Sequence, residues 1–337
     1  MELFYLLFGI SLVALAIIDF IWTTLWVDGG AGPLTNRLSS AYWTVHKTIS
    51  NGRPKWLSLG GPFVLILTLS MWIFLLWTGW TLIFASTSVI VDTKDGGPMS
   101  WIENAYYAGY LIFTLGNGEF APEDGIWQII AILATGTGML FITFGVTYLL
   151  QVLSAVTDKR SLASSISGIA LDPASFVNRA WNGQNFDNVN LLLDTFANDL
   201  SGIVAKHDAY PVLHYYRSAT SDRSLSLNIV VMDEALTLLT HGIPTQHQPN
   251  RLLIQELRSS ITSYLDTLHS SSIEASPVVP PHQVLGNLNN EIPLVDPADY
   301  EKTMEQLETR RRKLLGLLEM TEEEWPGSWE TDMSDKA

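Results

Sequence analysis

The chain has 337 residues, 47% apolar and only 16% charged, with 34 Asp and Glu against 19 Lys and Arg and no cysteine. Charged residues make up about a quarter of an ordinary soluble protein, so the composition argues against a fully cytosolic enzyme, and a net charge of −15 with Lys and Arg scattered outside one short run leaves no basic face for nucleic acid. Disulfides, thiolate metal sites and cysteine nucleophiles are excluded by composition.

Taken in chain order, residues 1–27 read as an extra N-terminal transmembrane helix. Leu3 to Val27 is interrupted only by Asp19, and 25 residues at about 1.5 Å each are long enough to cross a bilayer with some tilt. Position 2 is acidic and no Lys or Arg precedes the apolar run, which argues against a secretory signal. Asp19 has two readings, an ion or proton relay or a satisfied structural acid beside Thr23 and Thr24. Residues 28–55 hold Arg37, Lys47, Arg53 and Lys55 and read as a cytoplasmic loop. Within it Arg37 to Ile49 interleaves apolar and polar residues as an interfacial helix does.

Residues 56–157 contain two uncharged runs, Trp56 to Val91 and Gly125 to Thr157, each longer than the ~20 residues a span needs. The connection 92–124 carries one basic residue, Lys94, against Asp92, Asp95, Glu103, Glu119, Glu123 and Asp124, which places it outside and the N-terminus with it. Its second half, Trp101 to Phe113, is apolar but too short to cross, and reads as a re-entrant helix. It runs into Thr114-Leu115-Gly116-Asn117-Gly118-Glu119, where alternating glycines permit φ of either sign, so successive carbonyls can face one side. Irregular backbone at membrane depth is tolerated only against protein or a wet cavity.

This segment resembles the pore loop of the tetrameric potassium channel superfamily, whose filter reads T-V-G-Y-G-D, with Pro122 following where many members have proline. The resemblance covers roughly residues 56–157. It implies an outer helix, a pore helix, a selectivity filter at 114–118 and an inner helix, four chains around one axis, and a permeant cation held by Thr114, Leu115, Gly116, Asn117 and Gly118. It also implies Glu119 as the acid at the pore mouth and Tyr106, Tyr107 and Phe113 as filter support. Asn117 stands where potassium-selective members carry a Tyr that ties the filter to the pore helix, which opens the alternative of a poorly selective sodium/potassium channel. In the inner span Gly138 lies 20 residues past Gly118, where relatives bend, with Gly136 beside it. A gating hinge and close helix packing are the two readings of these glycines.

The remaining 180 residues carry 14 Lys and Arg against 25 Asp and Glu, a net of −11. Residues 158–269 read as a helical cytoplasmic domain, 270–297 as a Pro- and Ser-rich linker, and 298–337 as a C-terminal helix with an acidic tail. Arg310-Arg311-Arg312-Lys313, flanked by glutamates, reads as a solvated helix face. No phosphate loop, calcium loop or zinc spacing is present, and His207, His214, His241, His247, His269 and His282 read as ordinary surface or core histidines.

The expectation is an all-α membrane protein with three transmembrane helices and a re-entrant pore loop between the second and third, in the plasma (inner) membrane. It is expected to be no enzyme and to need no cofactor beyond potassium or sodium as permeant ion. Its partners are its own copies in a homotetramer and the lipid bilayer, with no nucleic acid and no regulatory ligand assigned. A membrane-anchored signalling or scaffold protein is the alternative of another class.

Overall fold

The computed structural model describes residues 1–50, 53–94, 96–269 and 274–326. Asp95, the first four residues of the 270–297 segment and the acidic tail from 327 lie outside the described residues. The chain is predominantly helical, and three of its helices are long and apolar enough to cross a membrane. It divides into two units, one formed by 1–45, 62–153 and 209–212, the other by the rest.

In the first unit, α1 (Glu2–Leu25) buries Gly9, Val13, Ala16, Phe20 and Thr23, a stripe at alternating four and three spacing. The helix α2 (Pro33–Ser50) follows, its last turn and the single turn α3 (Pro54–Leu57) belonging to the second unit, and then the helix α4 (Gly60–Phe84), which returns to the first from Pro62. Glycines set the crossing of α1 and α4: a Cβ on Gly9 would lie 2.7 Å from the carbonyl oxygen of Gly79, and one on Gly79 would lie 2.7 Å from Val13 Cγ2. Such close backbone approach gains dispersion contacts where lipid offers no hydrophobic drive. Phe20 then stacks on Phe141 at 4.3 Å and meets Trp72 edge-on at 4.9 Å.

Strand β1 (Ile90–Asp92), the pore helix α5 (Trp101–Ile112) and strand β2 (Phe120–Pro122) connect α4 to the inner helix α6 (Gly125–Ile169). β1 and β2 pair antiparallel, with Val91 opposite Ala121. A capping box starts α5: Ser100 Oγ accepts from Glu103 N, and Glu103 Oε2 accepts from Ser100 N at 2.6 Å. At 45 residues α6 is about 67 Å long, twice the ~30 Å hydrocarbon core. The uncharged run ends at Thr157, and the helix continues through Lys159 and Arg160.

The second unit is built around α9 (Leu225–Thr237), every residue of which is buried. Around it lie α7 (Pro173–Ala180), α8 (Asn190–Ala209), α10 (Arg251–His269), α11 (Pro297–Gln306) and α12 (Glu308–Thr321). Asp172 caps α7 through Ser175 N, Ser224 caps α9 through Leu227 N and Asp296 caps α11 through Ala298 N. A fully buried helix that carries Asp233 and Glu234 must neutralise them. Arg258 and Arg310 reach Asp233 at 3.1 and 2.7 Å, and Arg311 grips Glu234 with two bonds of 2.8 and 2.9 Å. Burial pushes the Asp233 carboxyl up, but Arg258 and Arg310 outweigh it and hold the group below the ordinary carboxylate range.

Three expectations are corrected here. The Arg310–Lys313 run is no solvated face, since Arg310 and Arg311 turn into the core and only Arg312 makes a surface pair, with Glu308. The C-terminal helix is two helices that break at Leu307 (φ −89°, ψ 0°). From Glu274 onward the proposed linker is a strap packed on the core. Leu285, Leu288 and Ile292 are buried, and the carbonyls of Pro277, Pro280 and Pro281 accept bonds from Arg312 and Arg311.

Candidate ion pathway

The last carbonyls of α5 lead the chain into residues 114–118. Phe113 N donates to Gly109 O at 2.9 Å, Thr114 N to Leu111 O at 3.1 Å and Leu115 N to Tyr110 O at 2.8 Å. From there every second residue has positive φ: Thr114 at 57°, Gly116 at 63° and Gly118 at 72°. Glycine takes this region freely, whereas a threonine there costs roughly 1–2 kcal/mol, strain of the kind held at functional sites. At the Gly118 end Thr93 clasps the segment. Its N–H donates to Glu119 O at 2.8 Å and its hydroxyl reaches Gly118 O and Glu119 O at 3.2 and 3.0 Å.

The aromatic residues near the 114–118 segment divide their work. Asn117 Nδ2 donates to the Tyr106 hydroxyl and so ties the 114–118 segment to α5. Tyr107 is buried and points elsewhere, edge-on to Phe84 at 4.8 Å. Tyr110, which the sequence reading missed, donates to Phe120 O at 2.8 Å and ties α5 to β2. Phe113 offers no side-chain bond and is half exposed within a single chain, as is Leu115. Two further unpredicted ties come from α4: Trp77 Nε1 donates to Ala105 O at 2.8 Å and Trp80 Nε1 to Thr137 Oγ1 at 3.0 Å. Their signal was the crowding of tryptophans in an apolar span.

Several acids of the 92–124 connection have local structural tasks. Glu103 belongs to the capping box, Asp92 accepts from Lys94 N at 2.7 Å in its turn, and Asp124 accepts from Ile126 N at 3.2 Å at the start of α6. Glu119 has no ion pair among the described residues.

A family model described as Ion channel (Ion_trans_2) matches residues 63–155, the stretch that holds α4, the pore loop and the spanning part of α6. The chain is also 41% identical over 324 residues to an uncharacterized membrane protein, YdjJ, of Bacillus subtilis (strain 168), covering 96% of this chain and 95% of that one. The chain belongs to this membrane protein's family and carries an ion-channel domain. The resemblance drawn from the filter string is thereby borne out. No solved structure matches the chain.

Within the ion-channel domain the two inner-helix glycines have different surroundings. A Cβ on Gly138 would lie 2.3 Å from the Ile112 carbonyl oxygen and 2.6 Å from its Cα, so α6 presses backbone to backbone on the end of the pore helix. Gly136 has open space around it within the chain. Gly138→Ala is therefore expected to destabilise the solubilised protein by about 1–3 kcal/mol, and Gly136→Ala to be neutral or slightly stabilising through helix propensity. Equal thermal unfolding midpoints for the two variants would remove the packing role.

Asp19 is a satisfied structural acid. It is fully buried, and its carboxylate accepts from Leu34 N at 2.7 Å, Thr35 Oγ1 at 2.6 Å and Trp72 Nε1 at 2.8 Å. Gly32 N donates to Thr23 Oγ1 beside it. The acid thus binds the first turn of α2 and the middle of α4 to α1, a use of carboxylate at a helix N-terminus that the macrodipole favours. Asp19→Ala leaves these donors buried and unanswered, for an expected loss of at least about 3 kcal/mol. Asp19→Asn keeps one acceptor oxygen and is expected to lose less. Thermal unfolding of the detergent-solubilised chain measures both, and an unchanged Asp19→Ala midpoint contradicts the anchor.

Proposed function

We propose that four copies of this chain form a passive monovalent cation channel, with potassium as the permeant ion. One filter strand cannot enclose an ion, so the reading requires a fourfold axis. The observation that carries it is the alternation of positive φ at Thr114, Gly116 and Gly118 between the pore helix and β2. Such alternation turns the carbonyls of Thr114, Leu115, Gly116 and Asn117 to one side, where they replace the water shell of a dehydrated cation. Thr93 engages the oxygens of Gly118 and Glu119, which marks the outer limit of that row. Glu119 raises the local cation concentration at the mouth, an effect that salt screens. Open space at Gly136 supports it as the hinge, with the tightly seated Gly138 as its fixed neighbour.

Asn117 supports a second reading, a channel that passes sodium nearly as well as potassium. The amide makes its bond to Tyr106 but has no ring to brace the strand. Reconstituted liposomes in opposed sodium and potassium gradients separate the two. A reversal potential that follows potassium supports selectivity, one near zero supports the weakly selective channel, and absence of cation flux overturns both.

The N-terminus and the β1–α5 loop are proposed to lie outside, with the second unit in the cytoplasm. Because the chain has no cysteine, Lys94→Cys and Lys302→Cys report this without background. An impermeant maleimide is expected to label the first in intact cells and the second only after lysis.

A further inference from the structure

Residues 158–337 carry a net of −11, yet a cavity of about 60 Å³ within the second unit is lined by positive charge. Lys159 and Arg160 of α6 face it together with His207 of α8 and His214, Tyr216 and Arg217 of the following loop. Arg223 also lines it and meets Asp222 at 3.8 Å. The opposing acid is Glu323, already bonded to Thr321 Oγ1 at 2.8 Å. Lys159 Nζ donates to the carbonyls of Leu213 and Tyr216 at 3.1 and 3.4 Å. Neither Lys159 nor Arg160 has an ion pair among the described residues. Lys159 is partly buried, and a cation drawn out of water without a counter-charge is costly.

The same wall holds buried polar atoms that find no partner among the described residues: both ring nitrogens of His207, Nδ1 of His214 and the hydroxyl of Tyr216. Native proteins seldom leave such atoms unanswered. Burial, reinforced by Lys159, holds His207 well below the ordinary imidazole range and His214 down to about 4, so both rings are neutral at pH 7 and each offers an N–H. A space of 60 Å³ takes about four waters, or one tetrahedral oxyanion in their place.

We propose that this cavity binds a phosphate-type oxyanion, with Lys159, Arg160 and Arg217 supplying charge and His207, His214 and Tyr216 supplying neutral hydrogen bonds. A planar guanidinium and an ammonium suit such a group. Because Lys159 and Arg160 extend the inner helix, an occupant there bonds directly to the helix that lines the ion path.

Inorganic phosphate titrated calorimetrically into the detergent-solubilised full chain tests this. Saturable binding is expected, weakened at least about tenfold in Arg217→Gln and several-fold in Arg160→Gln, and unchanged in Arg251→Gln, an exposed arginine away from the cavity. Arg160 is exposed and has no ion pair among the described residues, so its variant reports binding even if Arg217→Gln folds poorly. The source of the group is separated by thermal unfolding in two kinds of lipid disc. Stabilisation by free phosphate in phosphatidylcholine discs assigns the site to a soluble ligand. Stabilisation by phosphatidic acid without free phosphate, abolished in Arg160→Gln, assigns it to a lipid headgroup. No saturable effect in either arm, or wild-type binding by Arg160→Gln and Arg217→Gln together, overturns the proposal.

Discussion

Cation flux is expected to vanish when Gly116 becomes alanine, while assembly and fold survive. Gly116 sits at φ 63° with nothing within 4 Å of the place a Cβ would occupy, so the penalty is conformational. An L-residue in that region costs roughly 1–2 kcal/mol, and in a fourfold filter the four chains together pay on the order of 4–8 kcal/mol. The way to relieve it is a peptide rotation that turns a carbonyl off the axis and removes a ring of ligands. Gly96 supplies the control, because it has φ 69°, is equally open, and lies in the turn after β1 rather than in the filter. Gly96→Ala meets the same local strain and is expected to leave flux intact. Flux through reconstituted vesicles decides: if Gly116→Ala conducts as Gly96→Ala does, the carbonyl filter is wrong.

Arg311→Ala is expected to destabilise the second unit by about 3–5 kcal/mol, because it strands a carboxylate in the core. Arg311 is 2% exposed and makes a bidentate pair with Glu234, donates to the carbonyls of Pro280 and Pro281, and stacks over Trp325 at 5.4 Å. Burial pushes the Glu234 carboxyl up even with Arg311 in place. Loss of the guanidinium also frees the strap, so proteolysis between 274 and 297 should accelerate. Arg311→Lys should fall between, since an ammonium cannot form the paired bonds. The reference is Arg312→Ala, which loses a partly exposed pair with Glu308 worth about 0–1 kcal/mol and one bond to the Pro277 carbonyl worth about 1 kcal/mol, but strands no buried charge. Denaturant unfolding followed by tryptophan fluorescence measures the difference, and equal losses at 311 and 312 would contradict the buried clamp.

The spans and the positive-φ stretch at 114–118 could be read from residues alone because each is a local property. An uncharged run such as Gly125 to Thr157 reports bilayer thickness directly. The Gly116-x-Gly118 spacing reports a demand for positive φ that other residues meet only with strain. Thr114 shows the limit of that logic, since a threonine takes positive φ at 57° because the surrounding bonds impose it.

What the tertiary structure alone decided are pairings between residues far apart in the chain. Asp19 could be a relay or an anchor until Trp72, 53 positions away, and the first turn of α2 were seen to bond it. Arg311 reads as part of a solvated helix face, and only the fold sets Glu234, 77 positions earlier, against it. The Pro- and Ser-rich segment has the composition of a tether, and a strap has the same composition. Whether it is ordered depends on donors supplied by another helix, here Arg311 and Arg312. Length, periodicity and backbone preference are local and survive in one dimension. Neutralising a buried charge or answering a buried donor needs a partner whose position only the folded chain sets.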